Sequence, residues 1–347
     1  MLLNLQFVKI ISTLRLLLSL YLFFKILTLA AKRNIYRDLN RQTFSYGYGL
    51  LNMSQDMNKI IREKEIPELK MQDVGGAELP YLYYEGKAPQ ILFAHATGFL
   101  PWLWHPIIED LAPSNQIWVP YICNYRECDP EKGGLSWNII AEDLSSFCRS
   151  QHIENHLVVG HSMGATVLTI AAAVFGMEPR AMILIEPIFL PEEFYSMKIS
   201  VKDHPLASKS IKRTNNWKNE EQAWTYLKSK SLFSDWDEEV LALYIKYGME
   251  KQKTGDLKLA CTPENEAAMF MGGVSRNPWP LLEKLTCPVL VVEGEKSPNK
   301  EFVDLPRAVS LLRHGKYKSV TGAGHLIPMQ KPKEVAQIIK EFLAEVI

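Results

Sequence analysis

The sequence predicts an α/β fold: a mostly parallel sheet flanked by helices and interrupted late by a mainly helical insertion. Three observations predict it. Short apolar runs rich in β-forming residues recur at 90–94, 116–122, 157–159, 181–185, 288–292 and 317–320, which is what strands buried on both faces require. At 157–174 one such run, Leu157-Val158-Val159, meets Gly160-His161-Ser162-Met163-Gly164 and passes into an Ala-rich helical stretch. From 189 to about 271 the strand–helix alternation stops, with helical runs near 220–228 and 237–247 and the aromatic residues Trp217, Trp224, Phe233, Trp236, Tyr244 and Phe270 between and within them.

With 347 residues, 47% of them hydrophobic and 22% charged, the chain suits one large α/β domain carrying an insertion, or two small domains. Lys plus Arg and Asp plus Glu balance at 39 each, so charge gives no case for nucleic acid or for an acidic substrate. Five cysteines at irregular spacing, Cys123, Cys128, Cys148, Cys261 and Cys287, lack zinc-ligand spacing and read as buried small hydrophobes in a reducing compartment rather than as a disulfide framework.

Residues 1–33 differ in kind. The stretch 5–31 is apolar but broken by Lys9, Arg15 and Lys25, leaving 16–24 as the longest uncharged piece, well short of the roughly 20 residues of a spanning helix. An uncleaved anchor, an interfacial helix with Ser12, Arg15 and Ser19 on one face, and a secretory signal ending near Ala30 compete. Cations on both sides of the apolar piece favour membrane attachment without cleavage. The cluster Lys32-Arg33, Arg37 and Arg41 then favours the cytoplasmic side for the C-terminal domain; export after cleavage is the alternative. Residues 34–66 read as a connector.

Within the globular part, 69–84 reads as a hairpin turning at Gly75-Gly76. The strand at 90–94 runs into His95-Ala96-Thr97-Gly98-Phe99 and then a helical stretch at about 102–111. After the strand 116–122 comes Asn124-Tyr125-Arg126-Glu127-Cys128-Asp129, where Arg126 and Asp129 are expected to pair. Residues 135–150 carry Ile139, Ile140, Leu144, Phe147 and Cys148 at helical spacing. At 160–164 the strand-to-helix turn brings two backbones close, which Gly160 and Gly164 permit, and it lifts the Ser162 hydroxyl off the sheet edge. The Met163 N–H, at a helix N-terminus, then faces a developing oxyanion.

The G-x-S-x-G turn between strand and helix, together with Gly322-Ala323-Gly324-His325 after the last strand, resembles the α/β-hydrolase superfamily over about 69–347. The resemblance implies an α/β-hydrolase fold with its core at 67–188 and 276–347 and a cap at 189–275. It implies Ser162 as nucleophile, His325 as base, and an oxyanion hole from the N–H groups of Met163 and Thr97, with Ala96 or Phe99 open as alternatives to Thr97. His95 is read as a ring that hydrogen-bonds its loop. Phe99, Trp102 and Trp104 are expected near the mouth of a pocket for a small apolar acyl or ester substrate. No metal and no cofactor is implied.

Two departures from the superfamily pattern matter. The loop 124–129 replaces a glycine-rich run, and Ser297 stands three residues past Gly294, where an Asp usually completes the triad. A serine cannot carry the negative charge that stabilises an imidazolium. Glu186, at the end of the strand 181–185 and on the sheet edge where α/β folds place their ligands, is the expected acid, with Glu295 and Glu293 as alternatives. The function expected is a serine hydrolase of the esterase or lipase kind; a membrane-bound acyltransferase and a catalytically silent binding protein are the alternatives.

Overall fold

In the computed structural model residues 66–346 are described, apart from 113 and 155. The segment 1–33 and the connector 34–66, except its last residue, lie outside them. Among the described residues no helix is long and apolar enough to cross a membrane.

Ten strands are described: β1 (Lys70–Asp73), β2 (Glu78–Tyr84), β3 (Gln90–Ala94), β4 (Gln116–Pro120), β5 (Leu157–His161), β6 (Ala181–Ile185), β7 (Met249–Lys251), β8 (Leu257–Leu259), β9 (Val289–Gly294) and β10 (Gly315–Val320). Eight form one sheet in the order β1-β2-β4-β3-β5-β6-β9-β10. The pairs β1–β2 and β2–β4 are antiparallel and every other pair in it is parallel. Every residue of β5 and β6 is buried, so their sequences read as unbroken apolar runs rather than alternating ones.

Two helices flank the centre of the sheet. The first, α1 (Trp137–Ser150), starts where the Ser136 hydroxyl accepts from the Asn138 N–H and buries Ile140, Leu144, Phe147 and Cys148; each large apolar side chain so covered contributes roughly 1.5–3 kcal/mol. Phe147 meets Tyr81 of β2 edge-on, ring centroids 5.0 Å apart. The second, α2 (Met163–Val174), leaves β5 through Ser162 alone. The chain between β6 and β9 carries α3 (Glu220–Lys228), α4 (Glu238–Gly248), the two-stranded β7–β8 ribbon and α5 (Pro263–Met271). The closing helix α6 (Pro332–Val346) buries Val335, Ile338, Ile339 and Phe342.

Three details differ from the sequence reading. Cys123, past the end of β4, and Cys261, before α5, form a disulfide with their Cα atoms 6.0 Å apart, while Cys128, Cys148 and Cys287 are free. Irregular spacing hides such a pair because its partners sit on elements 138 residues apart. Arg126 does not pair with Asp129: its Nε and Nη2 each donate at 2.7 Å to Asp143 of α1, and Asp129 caps the turn at Glu131 and meets Lys132. The helix expected at 102–111 is shorter, a 3-10 turn at Pro101–Trp104 followed by His105–Ile108.

Candidate active site

The site is built at the C-terminal edge of β5. Ser162 has φ 55° and ψ −117°, a conformation L-residues seldom adopt, and its own N–H donates to Ile185 O at 2.9 Å. That strain persists because the neighbours leave no alternative. A Cβ at Gly160 would lie 2.5 Å from Ala165 Cα, and one at Gly164 would lie 2.3 Å from Ala94 O. Both positions must therefore be glycine for β5, α2 and β3 to meet at this turn.

Three side chains from three loops converge there. His325, in the loop after β10, sets Nε2 3.1 Å from the Ser162 Oγ and Nδ1 2.9 Å from Glu186 Oε2. Glu186 follows β6 directly, has φ 49° and is 1% exposed. A carboxylate only accepts, so Nδ1 carries the ring proton and Nε2 presents its lone pair to the serine hydroxyl. The Asn299 side-chain amide lies 2.9 Å from the same Nδ1. Glu186 is itself fixed by the Gly294 N–H on Oε1 and the Ser297 hydroxyl on Oε2, both at 2.7 Å. Ser297 thus stands beside Glu186 as a donor to it.

Neither alternative acid reaches the histidine. Glu293 is bound to the Tyr317 hydroxyl and lies 3.3 Å from Lys300 Nζ; burial and this carboxylate push the Tyr317 hydroxyl up to about 12. Glu295 Oε2 accepts from the Gly322 N–H at 2.8 Å and steadies the loop that carries His325. Glu295 N–H and Lys296 N–H donate to Val320 O and Ala323 O, so the ends of β9 and β10 are zipped together under the triad.

Residues 96–99 form a turn closed by the Phe99 N–H on Ala96 O, 3.2 Å, with Gly98 at φ 74°. Among the described residues the N–H groups of Thr97 and Met163 donate to no protein acceptor, which suits two donors aimed at an oxyanion. His95 is fully buried: its Nδ1–H donates to Ala96 O at 2.9 Å and its Nε2 accepts the Ile122 N–H at 2.9 Å. Burial pulls its basicity down to about 4, so it stays neutral and ties the 96–99 turn to the end of β4.

The aromatic residues separate into two groups. Phe99 meets Trp236 and Tyr244 of the insertion edge-on, and Trp102 stacks on Tyr247 at 5.0 Å while meeting Tyr121 edge-on. These lie at the junction of core and cap. Trp104 packs against Phe93 of β3 and is 2% exposed, a core side chain rather than a pocket wall.

Sequence reasoning passed over His161. Its Nε2–H donates to the backbone oxygen of His325 at 2.9 Å, tying the 160–164 turn to the loop after β10. Burial and the neighbouring His325 ring lower its basicity to about 3, so it serves as a neutral donor. Its place inside the G-x-S-x-G turn was visible; its partner, 164 residues away, was not. No group of His, Cys, Asp and Glu that could hold a metal ion occurs among the described residues.

A model of the alpha/beta hydrolase family matches residues 91–338. In Alternaria alternata, Abhydrolase domain-containing protein ACTT2-1 is 26% identical over 226 residues, 53% of this chain and 81% of that protein. A putative esterase/lipase of Haemophilus influenzae is 24% identical, covering 60% of this chain and 67% of its own length. Among solved structures, E-2-(acetamidomethylene)succinate hydrolase superposes with a TM-score of 0.67 at 20% identity, over 80% of this chain and 99% of that one. A thermophilic esterase from Thermogutta terrifontis does so with 0.56 at 20% identity, over 82% and 99%.

Proposed function

The chain belongs to the alpha/beta hydrolase family and is a hydrolase, and on that premise we propose that it is a serine hydrolase cleaving a carboxylic ester or related acyl compound through an acyl-enzyme on Ser162. The observation that carries this is the unbroken line Ser162–His325–Glu186, with contacts of 3.1 and 2.9 Å. His325 Nε2 takes the hydroxyl proton as Oγ attacks the carbonyl, and Glu186 stabilises the imidazolium that results. The oxyanion is received by the N–H groups of Met163 and Thr97. His325 then returns the proton to the leaving alcohol, and water, activated by the same nitrogen, releases the acid and frees Ser162.

The substrate is a small ester with an apolar acyl or alcohol part, since Phe99 and Trp102 meet the aromatic residues of the cap at this edge. The relatives described as an esterase/lipase and an esterase support an ester substrate. The test pairs Ser162→Ala with a series of p-nitrophenyl esters of graded chain length and a fluorophosphonate probe. Labelling of the wild type alone, loss of turnover by roughly 10⁴-fold or more in the variant, and preference for apolar over charged esters are expected. Retained turnover in Ser162→Ala would overturn the mechanism, and equal turnover of charged and apolar esters of similar size would overturn the substrate class.

Residues 1–33 are proposed to tether the enzyme to a membrane, with the catalytic domain on the cytoplasmic side. The Cys123–Cys261 bond favours the alternative, an oxidising side. Fractionation of the full-length chain with protease protection decides both points: fully soluble protein refutes the tether, and protection or exposure of the catalytic domain reports the side.

A further inference from the structure

The loop expected to hold the oxyanion is covered by a charge pair that none of the triad uses. Glu266, on α5, lies directly against Gly98: a Cβ added there would come to 2.3 Å from its Oε1 and 2.9 Å from its Cδ. Gly98 adopts φ 74°, which favours glycine, and it lets this carboxylate approach closely. Adjacent Cα atoms are about 3.8 Å apart, so the carboxylate sits within about 8 Å of Thr97. A full negative charge at that range, under a cap that limits screening, opposes the negative charge that develops on the substrate carbonyl oxygen.

Arg213 answers it. Its Nη1 donates to Glu266 Oε2 at 2.7 Å and its Nη2 to the Tyr244 hydroxyl at 3.2 Å. The side chains are only 21% and 13% exposed, and the Tyr244 ring meets Phe99, the residue after Gly98, edge-on. The oxyanion loop, α4, α5 and the segment carrying Arg213 therefore meet at one ion pair.

We propose that Arg213 and Glu266 form a charge-balanced positioning element of the cap, in which Glu266 rests on Gly98 and holds the 96–99 turn in place while Arg213 cancels the field that Glu266 would otherwise impose on the oxyanion. The proposal rests on the serine-hydrolase reading above. Neither residue touches the reacting atoms; both act through the loop.

The distinguishing feature is sign. If the pair acts through charge, removing Arg213 alone leaves a bare carboxylate beside the oxyanion, and removing both relieves it. Arg213→Met should lower kcat roughly 10- to 100-fold, the size expected from one unbalanced charge at this range, with KM within about threefold. Arg213→Gln, which keeps a donor for Glu266 and Tyr244 but not the charge, should show the same loss and serves if the Met variant does not fold. Arg213→Lys should recover most of the rate, and so should Arg213→Met combined with Glu266→Gln. A double variant as slow as Arg213→Met, or a Lys variant as slow as the Met variant, would overturn the proposal and leave the pair a packing contact. Unchanged kcat in Arg213→Met and Arg213→Gln would do so as well. Ser162→Ala is assayed in parallel, since retained turnover there means that the serine-hydrolase reading has failed, whatever the pair does.

Discussion

Replacing Glu186 by Gln tests the triad most sharply, because the side chain changes by one atom while a buried charge disappears. The carboxylate is 1% exposed and 2.9 Å from His325 Nδ1. With about 4 Å between charge centres and an effective dielectric constant of about 20, the imidazolium formed during attack gains roughly 4 kcal/mol from it. At about 1.36 kcal/mol per tenfold, that is about 10³-fold in kcat. The amide adds a second penalty, since an NH₂ placed at Oε2 would face the Nδ1 proton and favour the wrong tautomer. The expected loss is therefore roughly 10²–10⁴-fold in kcat. Stability should change little, because the Gln oxygen can still accept from the Gly294 N–H. Steady-state turnover of an activated ester, with a thermal melt of each variant, measures both. Glu293→Gln and Glu295→Gln are the controls and should stay within about tenfold of wild type, as their carboxylates are committed to Tyr317 with Lys300 and to the Gly322 N–H. A crippled Glu295→Gln beside a near-normal Glu186→Gln would refute the reasoning.

Two further outcomes follow from other parts of the molecule. Reducing Cys123–Cys261, which closes a separation of 138 residues, should destabilise the domain by roughly 2–5 kcal/mol; thermal melts with and without a thiol reductant, and of the Cys123→Ser, Cys261→Ser double variant, check it, and superimposable melts refute it. Acid should destabilise the fold between about pH 6.5 and 4. Burial lowers His95 and His156 to about 4 and His161 to about 3, so the unfolded chain binds their protons first. Stability from these groups is complete above about 6.5 and is lost as pH falls toward 4 for His95 and His156, each contributing up to about 3 kcal/mol, and toward 3 for His161, contributing up to about 5 kcal/mol. Urea midpoints that stay flat from pH 7.5 to 4.5 would show the effect to be absent.

What can be read from the sequence here is what is local. Ser162 is legible because its strand, turn and helix are contiguous, and the small residues that the turn needs sit two positions either side. The base loop is legible for the same reason. Glu186 is reached by combining a local fact, an acid ending a buried strand, with a departure, the hydroxyl at 297. Contacts between distant segments leave no comparable trace. The Arg126 partner is Asp143 rather than the nearby Asp129 because the loop folds back over α1, where the guanidinium donates twice to one carboxylate. The β7–β8 ribbon is missed because three-residue strands carry no period. Trp104, expected near a pocket mouth, sits at the end of the 3-10 turn Pro101–Trp104 and packs on Phe93 instead.

The hydroxyl of Ser297, 2.7 Å from Glu186, limits which side chains position 297 can hold. An aspartate at 297 would set a second carboxylate within reach of the first, and two buried carboxylates that close cannot both stay ionised. Positions 186 and 297 thus cannot both carry a full negative charge. A small neutral donor at 297 avoids the conflict and, by donating to Glu186, supports its carboxylate. An aspartate at 297 with Glu186 in place would trap a shared proton between them and so weaken the charge that faces His325 Nδ1.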